Sequence, residues 1–229
     1  MKTRRQMPPN LNKPPTQPLL YLITGRQQFN PHPRLAWQAQ LDIIARAAQA
    51  GCQLIQIREK DLSASKLSEF VAAALILARP FGAKVLVNDR LDVALATGAD
   101  GVHLRTNSLP AAVVRRVVPT NFLLGVSTHS LAEAQAAEVG GADFLVCGPV
   151  YPTPSKFKYG APLGLHRFAE ICDKVTLPVL ALGGINLDNF SACLAQRAAG
   201  IASISLFNNP NSLGTNIKIV LSSPLLATR

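Results

Sequence analysis

The sequence is poor in acidic residues. Asp and Glu together number 13, against 23 Lys and Arg, so the 229 residues carry a formal net charge of +10. Such a surplus disfavours cationic partners and favours anionic ones: nucleic acid, an acidic membrane surface or phosphorylated small molecules. Cysteine is also sparse. Cys52, Cys147, Cys172 and Cys193 are scattered and form no CxxC pair. That spacing excludes a zinc ribbon, argues against a disulfide frame and fits thiols buried in a reducing, cytoplasmic compartment. Long hydrophobic runs are missing: none approaches the roughly 20 residues that span a bilayer. The opening "MKTRRQMPPNLNKPP" is basic and proline-rich, with no acid. It lacks the apolar stretch of a secretory signal and the interleaved aromatics of a nucleic-acid binder, and reads as a flexible basic arm over residues 1–18. Neither nucleic acid nor a membrane is expected as a partner, and a homo-oligomer is compatible with the sequence.

Apolar residues, by contrast, make up 48% of the chain, enough for a sizeable core. From residue 19 onward, short apolar runs alternate with helical spacing. The runs are "LLYLIT", "QLIQIR", "KVLVN", "GVHL", "FLLGV", "DFLVC", "PVLAL" and "IASIS". Between the first two, Trp37, Leu41, Ile44 and Ala48 share one helical face, and Gly51 follows as a stop. Ser130-x-x-Glu133 reads as a capping box. A small-residue turn precedes a strand at "AGCQLIQI", "TGADGVHL", "GGADFLVC" and "AAGIASIS", the second, fourth, sixth and eighth runs. Four βαβα double units predict an α/β protein, a single (β/α)8 TIM barrel over residues 19–229. An open doubly wound sheet is the alternative. The tail "LFNNPNSLGTNIKIVLSSPLLATR" has turn residues and a β-branched cluster, so the last helix is expected to be short or irregular.

In such a barrel, chemistry sits at the C-terminal ends of the strands. The second run ends in Gln56, Arg58 and Lys60, donors that suit a polyanion if a period of two turns them one way. A salt bridge to Glu59 or Asp61 is the competing role. The third run ends in Asn88-Asp89, which can hold Mg²⁺ or orient a polar ring, or simply cap the next helix. The fifth ends in Ser127 and His129: an anion-binding hydroxyl, and an imidazole that either moves protons or braces the loop. His103 reads as structural. In the loop after the sixth run, Thr153, Ser155 and Lys156 look like a phosphate cradle. Gly183-Gly184 after the seventh lets backbone N–H groups approach a phosphate at a helix N-terminus. Ile204-Ser205 closes the eighth. Two anion subsites follow, one around runs 2, 3 and 5, the other around 6, 7 and 8.

The stretches "QIREKDLS", "NDRLDVALATGADGVHL", "GVSTHSLAEA", "GADFLVCGPVYPTPSK", "PLGL" and "LGGIN" resemble the thiamine phosphate synthase family, which includes related thiazole tautomerases. The resemblance covers roughly Leu19 to Ser205. It implies a transferase that joins a pyrimidine methyl diphosphate to a thiazole phosphate. Gln56, Arg58 and Lys60 would hold the diphosphate, with Asn88, Ser127 and Lys156. Asp89 would bind Mg²⁺. Thr153, Ser155, Gly184, Ile204 and Ser205 would hold the thiazole phosphate. In the tautomerase branch His129 would be the acid/base, and a non-catalytic phosphate-binding relative is the third alternative. One stretch departs. Where the synthases carry Gly-Gln-acid-Asp, with a second Mg²⁺ ligand, this chain has Arg105-Thr106-Asn107-Ser108. Arg105 is then expected to neutralise diphosphate directly, or else the metal is expected to rely on Asp89, substrate oxygens and water.

Overall fold

Each apolar run becomes a strand: β1 (Leu19–Ile23), β2 (Leu54–Ile57), β3 (Lys84–Asn88), β4 (Gly101–Leu104), β5 (Leu123–Thr128), β6 (Phe144–Cys147), β7 (Val179–Leu182) and β8 (Gly200–Ser203). The computed structural model describes residues 17–29, 32–153 and 161–225. The strands pair in parallel in chain order, and β8 returns to β1 with Leu20 opposite Ile201, closing a barrel. This decides against the open sheet. Parallel neighbours need crossovers, supplied by α1 (Pro33–Gln49), α2 (Ala64–Ala78), α3 (Leu91–Thr97), α4 (Ala111–Val117), α5 (Leu131–Val139), α6 (Gly164–Lys174) and α7 (Phe190–Leu194), with α8 (Leu213–Leu221) following β8. No helix among the described residues is long and apolar enough to cross a membrane.

Strand periodicity divides the core in two. Leu20, Leu22, Ile55, Ile57, Val85, Val87 and Val102 face outward and pack under the helices. Leu19, Tyr21, Ile23, Leu54, Leu86, Leu123, Phe144 and Leu180 face inward and fill the barrel. Burial on both faces is why the strands read as unbroken apolar runs. Two glycines set the tightness of closure. A Cβ on Gly200 would stand 1.9 Å from the Leu19 carbonyl oxygen. One on Gly125 would meet the Phe144 ring at 2.4 Å and His103 Nδ1 at 2.8 Å, so the bare backbone there makes room for both rings.

The helices follow local signals with two departures. Ser130 Oγ accepts the Glu133 N–H at 3.2 Å, as a capping box requires. The Glu133 carboxylate, however, accepts from the His129 N–H at 2.7 Å, one residue earlier than the motif predicts. The last helix is short but regular. It has no side-chain cap and is held by burial of Leu213, Ile217 and Val220 and by Asn216, whose amide donates to the Leu206 carbonyl at 2.8 Å.

Candidate anion site at the C-terminal rim of the barrel

The acids that would have neutralised the β2 donors are already taken. Arg26, just past β1, donates its N–H to Glu59 at 3.3 Å, sets its Nε 3.6 Å from the same carboxylate, and bridges to Asp61. Burial raises the Glu59 pKa, and hydrogen bonds from Thr24 and Arg26 limit the rise. The salt-bridge role considered for Arg58 therefore falls to Arg26. Arg58 is half-buried. Its N–H is fixed by Thr24 Oγ1 at 2.8 Å. Burial lowers the Arg58 pKa, Glu59 offsets part of this, and the like charge of Arg105 adds to it. A partly desolvated guanidinium beside a second one has a standing electrostatic demand for an anion. Lys60 is exposed at the same strand end.

Asp89 does not cap α3, whose N-cap position is Arg90. It occupies the left-handed region at φ 64°, with its N–H bound to the His103 carbonyl at 2.9 Å. Its carboxylate is spoken for on both oxygens. Arg105 reaches Oδ2 through Nε at 3.1 Å and through Nη2. The Ser108 hydroxyl reaches Oδ1 and accepts the Arg105 N–H at 2.8 Å. Burial alone would raise the Asp89 pKa; the Ser108 and Arg105 hydrogen bonds outweigh it and hold the carboxyl below its ordinary range. Mg²⁺ asks for near-octahedral oxygen ligands. One carboxylate, engaged on both oxygens and ringed by Arg105 and Arg90, does not fit that ion.

Inside the barrel the sequence reading missed a polar chain. Gln56, expected at the rim, is 2% exposed and donates its amide to the Tyr21 hydroxyl at 3.1 Å. That hydroxyl lies 3.3 Å from His103 Nδ1, and His103 Nε2 lies 2.8 Å from Ser127 Oγ. Burial pushes the His103 pKa down to about 3, so the ring is neutral. The direction of the chain then follows from the donor inventory. The Gln56 amide nitrogen only donates, and among the described residues Nδ1 is the one acceptor within reach of the buried Tyr21 hydrogen; in the tautomer that satisfies it, Tyr21 donates to Nδ1 and Nε2–H donates to Ser127. The Ser127 hydroxyl is left with its own hydrogen to offer at the rim, which suits an anion. His103 is thus a positioning residue for Ser127, not only packing. Asn88 pairs in register with His103 at the adjoining strand end.

His129 is exposed, and its Nδ1 bonds the Gly148 carbonyl. This meets the loop-bracing role considered for it. On the far side, the β6 and β7 loops are in contact. Tyr151 N–H donates to Gly183 O at 3.0 Å, and a Cβ on Gly184 would stand 2.7 Å from the Pro152 carbonyl oxygen. Thr153 is the next residue. Gly183 and Gly184 have φ 96° and 66°. They do not open α7, which starts at Phe190 after a turn tied by Asn186 and Asn189; the expected helix terminus is absent from this spot. Strand β8 stops at Ser203, so Ile204 and Ser205 lie in the loop, Ile204 against the inward cluster and Ser205 exposed. Ser155 and Lys156 lie outside the described residues. Asn208, which sequence reading passed over, donates to the carbonyls of Ile23 and Ile204, each at 2.7 Å, and so ties the rim ends of β1 and β8.

A closed parallel barrel with arginines, a hydroxyl and close-packed glycines on its C-terminal rim defines a (β/α)8 protein. The chain belongs to the thiamine monophosphate synthase family, whose model matches residues 20–207. A relative from Geobacter sulfurreducens is 47% identical over 186 residues, 81% of this chain and 84% of that protein. The thiamine-phosphate synthase of Roseiflexus sp. is 41% identical over 187 residues, 82% of this chain and 77% of its own. Among solved structures, thiamine phosphate pyrophosphorylase from Pyrococcus furiosus has a TM-score of 0.77 at 32% identity, covering 90% of this chain and 94% of that one. A 3-hexulose-6-phosphate synthase, at 16% identity and a TM-score of 0.64, shares the fold alone.

Proposed function

We propose that this protein is a transferase that condenses a pyrimidine methyl diphosphate with a thiazole phosphate, giving thiamine phosphate and diphosphate. One observation carries the reading: Arg58 and Arg105 sit close enough on one rim to feel each other's charge, while the neighbouring acids Glu59 and Asp61 are held by Arg26. Membership of the thiamine monophosphate synthase family supports it. In this reading the diphosphate lies against Arg58, Lys60, Asn88, Arg105 and Ser127, with Lys156 as a further cation. The thiazole phosphate lies against Thr153, Ser155, Gly184, Ile204 and Ser205. The bond from the pyrimidine methylene carbon to the diphosphate oxygen breaks, its electron pair leaves with the diphosphate, and the aminopyrimidine ring carries the developing positive charge. The thiazole nitrogen then gives its lone pair to that carbon. No protein nucleophile is needed, so positioning and preorganised charge supply the rate. The four free thiols support a reducing compartment and a cytoplasmic enzyme.

The test is purified protein with both phosphorylated substrates, read as diphosphate release and thiamine phosphate formation. Lys156→Ala is expected to lower kcat about 100-fold, the usual cost of one preorganised donor. The altered Arg105–Ser108 segment favours a second reading, a thiazole tautomerase with His129 as acid/base. Turnover of a carboxylated thiazole phosphate alone, with no condensation, would establish that reading and overturn the first. Ligand binding with no turnover of either kind would leave the non-catalytic relative.

A further inference from the structure

The geometry points to Arg105 as a resident cation standing where a divalent metal would otherwise be required, so that this site receives the diphosphate end of its substrate as the metal-free anion. The inference rests on the proposed function for the identity of the ligand; its charge logic rests on the site itself. Asp89 is the carboxylate at the end of β3, and its two oxygens are divided between the Arg105 guanidinium and the Ser108 hydroxyl. Ser108 is in turn pinned by the Arg105 N–H at 2.8 Å. The three groups close into a ring in which Asp89 is the only acid.

The charge count is the decisive comparison. A pair of carboxylates holding a divalent ion sums to zero, and so does one carboxylate holding a guanidinium. A hydroxyl in place of the second acid and an arginine in place of the ion therefore keep the balance without a diffusible metal. Adding Mg²⁺ to the present set would place a double charge against the one acid Asp89 and its partner Arg105, with Arg90, itself neutralised by Asp92, alongside. The guanidinium also retains function after pairing. Of its five N–H donors, two are used on Asp89, and the side chain is 39% exposed. The remaining donors are available to phosphate oxygens in the fork geometry that arginine offers and a lysine does not.

Isothermal titration calorimetry of the full chain with inorganic pyrophosphate, in EDTA and again in millimolar Mg²⁺, tests this. The expected result is binding in EDTA within about threefold of that in Mg²⁺. Arg105→Gln should weaken binding in EDTA by about 10-fold or more, the scale of one lost charged hydrogen bond. Arg105→Gly combined with Ser108→Asp rebuilds a two-carboxylate site and should bind pyrophosphate more tightly with Mg²⁺ than in EDTA. Circular dichroism confirms that each variant folds, and Arg105→Lys, which keeps charge but loses the fork, should fall between wild type and Arg105→Gln. Wild-type binding that appears only with Mg²⁺ overturns the inference and leaves the proposed function standing, as does an Arg105→Gln variant that binds normally. Tight binding in EDTA without condensation overturns the proposed function and leaves the inference standing. No binding under either condition overturns both.

Discussion

At the scale of single residues, the informative positions are polar groups whose partners are distant in sequence. His103 is neutral because burial depresses its pKa from 6.5 to about 3. In the unfolded chain the same ring takes up a proton near 6.5, so between that value and about 3 the unfolded state binds more protons. Stability supplied by the neutral ring is complete above pH 6.5 and is lost as pH falls, by about 1.4 kcal/mol per pH unit. His103→Gln removes this term. Denaturant unfolding at several pH values is expected to show a shallower acid loss for the variant than for wild type, with other titrating groups common to both. Equal slopes would mean that the ring is not held neutral. Gln56 and Arg58 were readable as a pair of donors by strand period. That Gln56 spends its amide on Tyr21, 35 residues away in sequence, was not readable, because period fixes a face but not the depth along it.

At the scale of elements, local chemistry was a good guide where it was strong. Ser130 forms the cap its spacing predicts, and Gly51 follows α1 at φ 100°. At α8 the sequence predicted a short or irregular helix, and the nine residues Leu213–Leu221 form one that is short but regular, despite turn residues and a β-branched cluster. The helix forms because Ile217 and Val220 are fully buried, a packing gain that exceeds the small propensity deficit. Asn216 supplies what a cap does not, by satisfying the Leu206 carbonyl. Asn216→Ala is expected to destabilise the protein by about 2 kcal/mol, the cost of leaving one buried acceptor unpaired. Thermal melting with a probe on α8 checks this, and the terminal helix should loosen before the barrel. The glycine pair misled for a related reason. Its positive φ values are met, but they serve close contact with the β6 loop and not the start of α7.

At the scale of the whole molecule, closure brings the rim together. The β1–β8 pairing is the strand pairing most distant in sequence, and it depends on backbone approach at Gly200, where a Cβ would lie 1.9 Å from a carbonyl oxygen. Gly200→Ala is expected to lower Tm by more than about 10 °C or to prevent soluble expression, since the clash is with backbone and cannot be relieved by a rotamer change. A variant melting within a few degrees of wild type would show that the seam opens at little cost. The direct pairing of β1 with β2 sets Arg26, from the first loop, against Glu59 and Asp61 of the second.

The sequence by itself determined the strand count, the βαβ alternation and the family; the closed strand order was decided by the pairing of β8 with β1. Burial on both faces writes each strand as an apolar run, and repeated small-residue turns mark the double units. It also named most of the rim, because each candidate follows directly on a strand end. Only the tertiary structure decided which charges are already spent. Pairing depends on distance across strands: Arg26 takes the acids next to Arg58, Arg105 takes Asp89, and His103 turns Ser127 into a donor. Those partners lie 16 to 35 residues apart, and nothing local in the chain specifies which of several like-charged side chains reaches a given carboxylate first.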